Sequence, residues 1–346
     1  MLYRDQAGIG RYVWELQRAL ADLPDRHERQ VTLLLDPRDA LRCSTGITTQ
    51  ALAVPARHPL ERVTMGLALR RFDTAHFPDH ALPDGVRVPS VVTVHDVSFL
   101  THPSTHNVNS RVFYSRAMSR LRCADEVIAV SVHVRNHLLE RRLVGAERLS
   151  VVAEAPTLAV DVAPHSGDPL SPFALMVGTI QPRKNHARAA RAWLHTRASR
   201  DMRLFVVGAL GYQGGDIVKS IRKCDPKSRV RFLGRVSDAT LGRLYSRARL
   251  LLQPSLDEGF GLPVLEAMRA GLPCVAADIG ALREITDGAA VYADPLDVEE
   301  MASAIDRVID NPDTSKLIAD AGRVRAAGFS WAQTAKATVA VYDRLR

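Results

Sequence analysis

The 346-residue chain is 46% hydrophobic and 24% charged, enough for about two globular domains with cores of their own. No run approaches the roughly 20 apolar residues of a membrane span, the N-terminal stretch has no signal-peptide apolar region, and the expected location is cytoplasmic. Cys43, Cys123, Cys224 and Cys274 show neither CxxC nor Cys/His spacing, which argues against a disulfide framework or a zinc site. The net charge of +8 favours anionic partners, yet the arginines are spread along the chain without a zinc-finger, RNP or helix-turn-helix pattern, so nucleic acid is not an expected partner.

In chain order, the first element is a glycine turn at Gly8 to Gly10, followed by an amphipathic helix with Tyr12, Val13, Leu16, Leu20 and Leu23 in its apolar set. A parallel sheet normally supplies a strand just upstream of such a turn. The sequence before Gly8 is too short for one, so either the natural reading frame extends further upstream or the first sheet is incomplete. Val31 to Leu35 reads as a short buried strand and Ala51 to Pro55 as another. From Arg57 to Phe72 the sequence mixes Leu60, Val63, Leu67 and Leu69 with Arg57, Arg62, Arg70 and Arg71, which fits either a helix on an anionic membrane surface or a domain helix with a solvated basic face. Ser90 to Val94 is a continuous apolar strand with His95-Asp96 at its C-terminal end, where open α/β sheets bind ligands. Helix, strand and helix follow, the last capped by Ser131. The stretch from Pro156 to Pro172, rich in proline and poor in periodicity, reads as an interdomain linker.

The second half opens with the strand FALMV, a turn at Gly178, and the cations Arg183 and Lys184 ahead of a helix. Further strand-turn units lead to Leu250–Ser255, an apolar strand, after which Gly259 and Gly261 let the backbone turn close to a bound group. Pro263 fits the first helical position, the helix runs through Val264 to Ala270, and Gly271 and Pro273 end it. Amides at such a turn and helix start bind phosphate or sugar oxygens, and the carboxylates of Glu258 and Glu266 accept from sugar hydroxyls. Lysine and arginine supply N–H donors and fixed positive charge. No Asp-x-Asp pair occurs, so a metal-bridged diphosphate lacks its ligand signature. Strand and helix alternate on both sides of the linker, which indicates two doubly wound domains.

Glu258 and Glu266, with Gly259, Phe260, Gly261, Leu262 and Pro263 between them, resemble the E-x7-E element of retaining GT-B glycosyltransferases, most closely glycosyltransferase family 4. The likeness extends to GIGRY at Gly8 to Tyr12, to VHD at Val94 to Asp96, to Arg183-Lys184 after VGTIQP, and to Gly234 to Val236. It implies an α/β GT-B fold of two Rossmann-like domains facing a central cleft, with a C-terminal helix crossing back. Residues 1–157 would form the acceptor-side domain without its first strand, 158–329 the nucleotide-sugar domain, and 330–346 the returning helix. By the same resemblance Glu266 holds the ribose, Glu258 contacts the donor sugar, and the amides of Gly259 to Leu262 meet sugar and pyrophosphate. Arg183 and Lys184 stabilise the departing diphosphate, His95 reaches the sugar near the reacting carbon, Gly234 to Val236 border the nucleobase, and Gly8 and Gly10 lie by the donor phosphates or the acceptor.

The implied activity is metal-independent, retaining hexosyl transfer, with no cofactor beyond the nucleotide-sugar co-substrate. GDP-mannose is the first choice of donor and a glycan or lipid-linked saccharide the acceptor, in bacterial surface polysaccharide synthesis at the inner face of the plasma membrane. A nucleotide-sugar epimerase on the same architecture, or a non-catalytic binder of anionic ligands, are the alternatives.

Overall fold

The computed structural model describes residues 8–24, 30–36, 48–54, 60–80, 82–158 and 172–345. Two compact units emerge: Met1–Val97, Val112–Ala155 and Ser330–Arg346 form the first, and Ser98–Arg111 with Pro156–Phe329 form the second. Of the linker stretch, residues 159–171 lie outside the described set, as do residues 1–7, where the expectation about the upstream strand falls.

The first unit starts with the helix Ile9–Ala21. Gly8 takes φ 63° at its N-cap, and because the helix begins at Ile9, Gly10 is already helical rather than part of a glycine loop. Its buried face, Tyr12, Val13, Leu16 and Leu20, recurs at helical spacing and packs on Ala335 and Val339 of the last helix, Trp331–Asp343. Strands β1 (Thr32–Leu35) and β2 (Thr48–Ala51) pair in parallel as a two-stranded sheet. The strand expected at Ala51 to Pro55 thus lies earlier, at the polar sequence TTQA, which is mostly exposed and carries no apolar signal. Similarly, β1 is half-buried except at Leu35.

The helix Glu61–Leu69 buries Leu69, while Leu60, Val63 and Leu67 are 55%, 61% and 55% exposed along its opposite face. Strands β3 (Ala75–Phe77), β4 (Ser90–Val94), β5 (Glu126–Ala129) and β6 (Leu149–Val151) form a parallel sheet in that order. Every residue of β4 and β5 is buried, as expected for inner strands covered on both faces. Ser131 accepts the Val134 amide at 3.1 Å and caps the helix Val132–Glu140 as expected. Arg344 returns from the C-terminus to pair with Glu126 of β5 at 2.6 Å.

In the second unit, β7 (Phe173–Val177), β8 (Arg203–Val207), β9 (Val230–Gly234), β10 (Leu251–Gln253), β11 (Cys274–Ala277) and β12 (Val291–Ala293) form one sheet in the order β12-β11-β10-β7-β8-β9. All of its pairings are parallel. The chain reverses direction across the sheet between β7 and β10, and that switch point opens a crevice at the strands' carboxyl ends. Trp193, fully buried with Ala189, Ala190 and Ala192, anchors the helix His186–His195 in the core that includes Ala174 and Met176 of β7. Within the described residues, no helix is long and apolar enough to cross a membrane.

Candidate active site

The loops after β7 and β10, which flank the switch point, hold most of the expected site residues. Arg183 and Lys184 sit in a 3₁₀ turn, Pro182–Lys184, closed by Asn185 in the left-handed region at φ 58°. Asparagine tolerates that conformation better than most residues. Its side-chain amide donates to the Pro254 carbonyl at 3.0 Å and to the Pro295 carbonyl at 2.7 Å, pinning the cationic turn to the loops after β10 and β12. The loop after β8 approaches so closely that a Cβ on Gly208 would lie 1.9 Å from the Gly178 carbonyl oxygen.

Glu258 comes from the β10 loop to meet both cations. Lys184 Nζ lies 2.5 Å from its Oε1 and Arg183 Nη1 3.3 Å from its Oε2. Gln253 Nε2 and Ser255 Oγ each donate to Oε1 at 2.7 Å. Burial alone would push this carboxyl up, but the charges of Lys184 and Arg183 outweigh it and hold Glu258 below the usual glutamate range. Arg183 also donates to the Asp257 carbonyl at 2.9 Å, and the Leu256 amide donates to the Arg183 carbonyl at 2.9 Å.

Gly261 is next, at φ 112°, a conformation that favours glycine, and a Cβ there would also press on the Leu282 side-chain tip at 2.8 Å. The helix Leu262–Arg269 begins one residue before Pro263, so the proline holds the second helical position and not the first. The Phe260 ring is buried edge-on against Phe329, 6.0 Å between centroids, and Gly259 is buried beside it. Glu266, 3% exposed, accepts from the Tyr245 hydroxyl at 3.0 Å and from the Thr157 hydroxyl at 3.1 Å. Gly234 ends β9 at φ 69°, accepts the Gly208 amide at 2.9 Å and is exposed, with Val236 half-buried two residues on.

Among the expected site residues, the structure therefore brings Arg183, Lys184 and Glu258 into direct contact. Gly259 to Glu266 and Gly234 to Val236 lie along the same carboxyl edge of one sheet. His95, Gly8 and Gly10 belong to the other unit. His95 is tied at both ring nitrogens, Nδ1 to Glu154 at 2.6 Å and Nε2 to the Pro78 carbonyl at 2.9 Å. Tyr12, from the helix that Gly8 opens, meets the His95 ring edge-on at 4.5 Å between centroids. Burial would lower the imidazole, but Glu154, the Pro78 carbonyl and Asp79 raise it above its ordinary value, in keeping with two N–H donors facing two acceptors.

Asn185, Gln253, Ser255, Asp257, Tyr245, Thr157 and Glu154 were not singled out from the sequence. The signal that could have found Gln253 and Glu154 is a polar residue closing an apolar run; Thr157 and Tyr245 have none, because their partner lies far along the chain.

Residues 165–325 match the family described as "Glycosyl transferases group 1". The chain is 27% identical to the O-antigen chain mannosyltransferase B of Escherichia coli, over 98% of this chain and 96% of that one. Its fold matches sucrose-phosphate synthase from Thermosynechococcus elongatus with a TM-score of 0.79 and 20% identity, covering 98% of this chain and 94% of that one. A second match is Anabaena HepE, solved with UDP and glucose: TM-score 0.76, 18% identity, 98% of this chain and 97% of that one. The fold is thus GT-B and the protein a glycosyltransferase. The group 1 match itself falls on the second half of the chain, residues 165–325.

Proposed function

We propose that the chain moves a mannosyl group from GDP-mannose to a glycan or lipid-linked saccharide acceptor in surface polysaccharide synthesis, with retention at the anomeric carbon and without a metal ion. The observation that carries this reading is the buried meeting of Arg183, Lys184 and Glu258 at the switch point of the second unit's sheet. Two fixed cations in a water-poor site stabilise charge that develops on a leaving diphosphate. Glu258, an acceptor-only group, suits a sugar hydroxyl. The Escherichia coli relative's name supports the mannosyl choice.

In the proposed reaction the acceptor oxygen attacks the anomeric carbon on the face from which the diphosphate leaves. The new C–O bond forms as the C–O bond to phosphate breaks, the bonding pair goes to the diphosphate, and a phosphate oxygen takes the acceptor's proton. Arg183 and Lys184 hold the diphosphate, Glu266 the ribose hydroxyls, the amides of Gly259 to Leu262 the sugar and pyrophosphate, and Gly234 to Val236 the base. For His95 to donate to the sugar, Nε2 must exchange the Pro78 carbonyl for a sugar oxygen. Gly8 and Gly10 keep their proposed place beside phosphate or acceptor. The exposed Leu60, Val63 and Leu67 stripe, with Arg70 and Arg71 exposed at its end, supports docking on an anionic membrane surface.

The test is a thermal-shift panel of GDP-, UDP-, dTDP- and ADP-sugars, because a ligand that binds the folded state stabilises it by mass action. Transfer is then followed in excess EDTA. GDP-mannose should raise Tm most, and activity should persist in EDTA. No shift with any nucleotide-sugar would sink the donor reading; loss in EDTA with recovery by magnesium or manganese would sink metal independence.

A further inference from the structure

Beside Glu258 lies a second buried carboxylate to which neither the sequence motif nor the reading above gives a role. Asp257 is 3% exposed. Its Oδ1 accepts the backbone N–H of Glu258 at 2.8 Å, and its own carbonyl accepts Arg183 Nη1 at 2.9 Å. Its Oδ2 accepts the hydroxyl of Thr101, from the short helix Ser98–Thr101 that packs with the same unit, and His102 Nδ1 lies 3.9 Å from that oxygen. One residue thus contacts the backbone that aims the carboxylate and the guanidinium that meets it.

We propose that Asp257 is a positioning residue of the transfer site, with its carboxylate, braced by Thr101, setting the backbone of Glu258 and its carbonyl setting Arg183. A buried carboxylate is costly unless hydrogen-bonded, and here both oxygens are spent on orientation within the protein. The neighbouring Glu258 faces the cations instead, so two adjacent carboxylates divide the work between holding the loop and meeting the ligand. The inference rests on the proposed glycosyl transfer for its kinetic consequence and on geometry alone for its structural one.

The experiment compares D257A and D257N with the full-length wild type. Replacement by alanine should lower kcat by about 100-fold, the loss that a misplacement of about 1 Å produces, while GDP affinity changes only a few-fold. Asparagine keeps an acceptor for the Glu258 amide and can donate to Thr101, so D257N should recover most of the turnover. Hydrogen exchange at the Glu258 amide reads the positioning without any substrate: it should quicken about tenfold in D257A and much less in D257N. Unchanged exchange in D257A overturns the proposal even if no donor is ever found. So does wild-type kcat in D257A, a parallel collapse of GDP binding and turnover, or a D257N as impaired as D257A. If the wild type neither binds GDP nor transfers mannose while the exchange result holds, the donor reading fails and the positioning stands.

Discussion

Each unit buries a carboxylate-cation contact at the carboxyl end of an inner strand, and the two are built differently. In the second unit Glu258 is held by two cations and two neutral donors, Lys184, Arg183, Gln253 and Ser255. In the first, Glu154 holds His95, whose other nitrogen meets a backbone carbonyl. Removing one cation from Glu258 leaves it solvated by the rest, so Lys184 can turn to an anion without stranding a buried charge. His95 has a single hydrogen-bonded carboxylate, Glu154, and the raised value of its ring makes this contact pH-dependent. On the proposed reading the Glu258 contact releases Lys184 to an anion, whereas the other keeps Glu154 on His95 Nδ1 and holds the ring rigidly while Nε2 turns to the sugar.

The largest expected effect breaks or confirms the exchange half of this comparison. Lys184→Ala and Arg183→Ala should each cut turnover on the order of 100- to 1,000-fold at saturating donor, the usual loss when one charge-stabilising donor is removed. Circular-dichroism melts should still show a folded protein, because Gln253, Ser255 and the remaining cation still satisfy Glu258. Near-normal turnover in both variants would strip the pair of its role.

A smaller effect addresses rigidity. Glu154→Gln keeps an acceptor for His95 but removes the charge, and should cost about 1–3 kcal/mol in urea unfolding. The sign of its pH dependence follows from the raised His95 value: the pair's stabilisation is fully present below the ordinary histidine range and is lost as pH rises through the folded value. The facing groups are Glu154 and Asp79, which favour the charged ring, and Tyr12 and neutral His76, which do not add charge. The difference between variant and wild type should therefore be larger at pH 6 than at pH 9. A difference constant across that range would mean that His95 is not charged in the fold.

Which parts of this were legible follows from the range of the interactions. The β10-turn-helix stretch carries its strand, glycine turn and both glutamates within a short window, so local pattern sufficed; Gly261 could be read because its dihedral favours glycine. The helix starts at Leu262, one position before the proline that marks it in the sequence, since proline is accepted at either of the first two helical positions. The strand at Thr48–Ala51 carries no apolar signal because its residues are mostly polar and mostly exposed, so hydrophobic periodicity points to the next apolar run instead. Glu154 lies 59 positions from His95, and Thr157 lies 109 from Glu266; no local signal couples them. The burial of His186 was equally invisible, because it stands in an alanine- and arginine-rich helix start that reads as solvated.

That histidine gives the smallest and sharpest test, because its pH dependence has the opposite sign to that of His95. Burial first, and then the charge of Lys184, push His186 down to about 4, with the Gln181 backbone working the other way. A ring that stays neutral in the fold but protonates near pH 6.5 when unfolded contributes stability that is present above pH 6.5 and lost as pH falls toward the folded value. Between pH 6.5 and 5.5 the loss should be about 1 kcal/mol, since the unfolded chain takes up most of one proton that the folded chain refuses. His186→Leu removes the titration while keeping an apolar filling, so its stability should fall less steeply than wild type over that interval. Glu154→Gln should move the other way, losing its disadvantage as pH rises. Urea unfolding curves of the two variants, each referred to wild type, should therefore diverge in acid. Parallel curves would show that the charge states assigned to the two buried imidazoles are wrong.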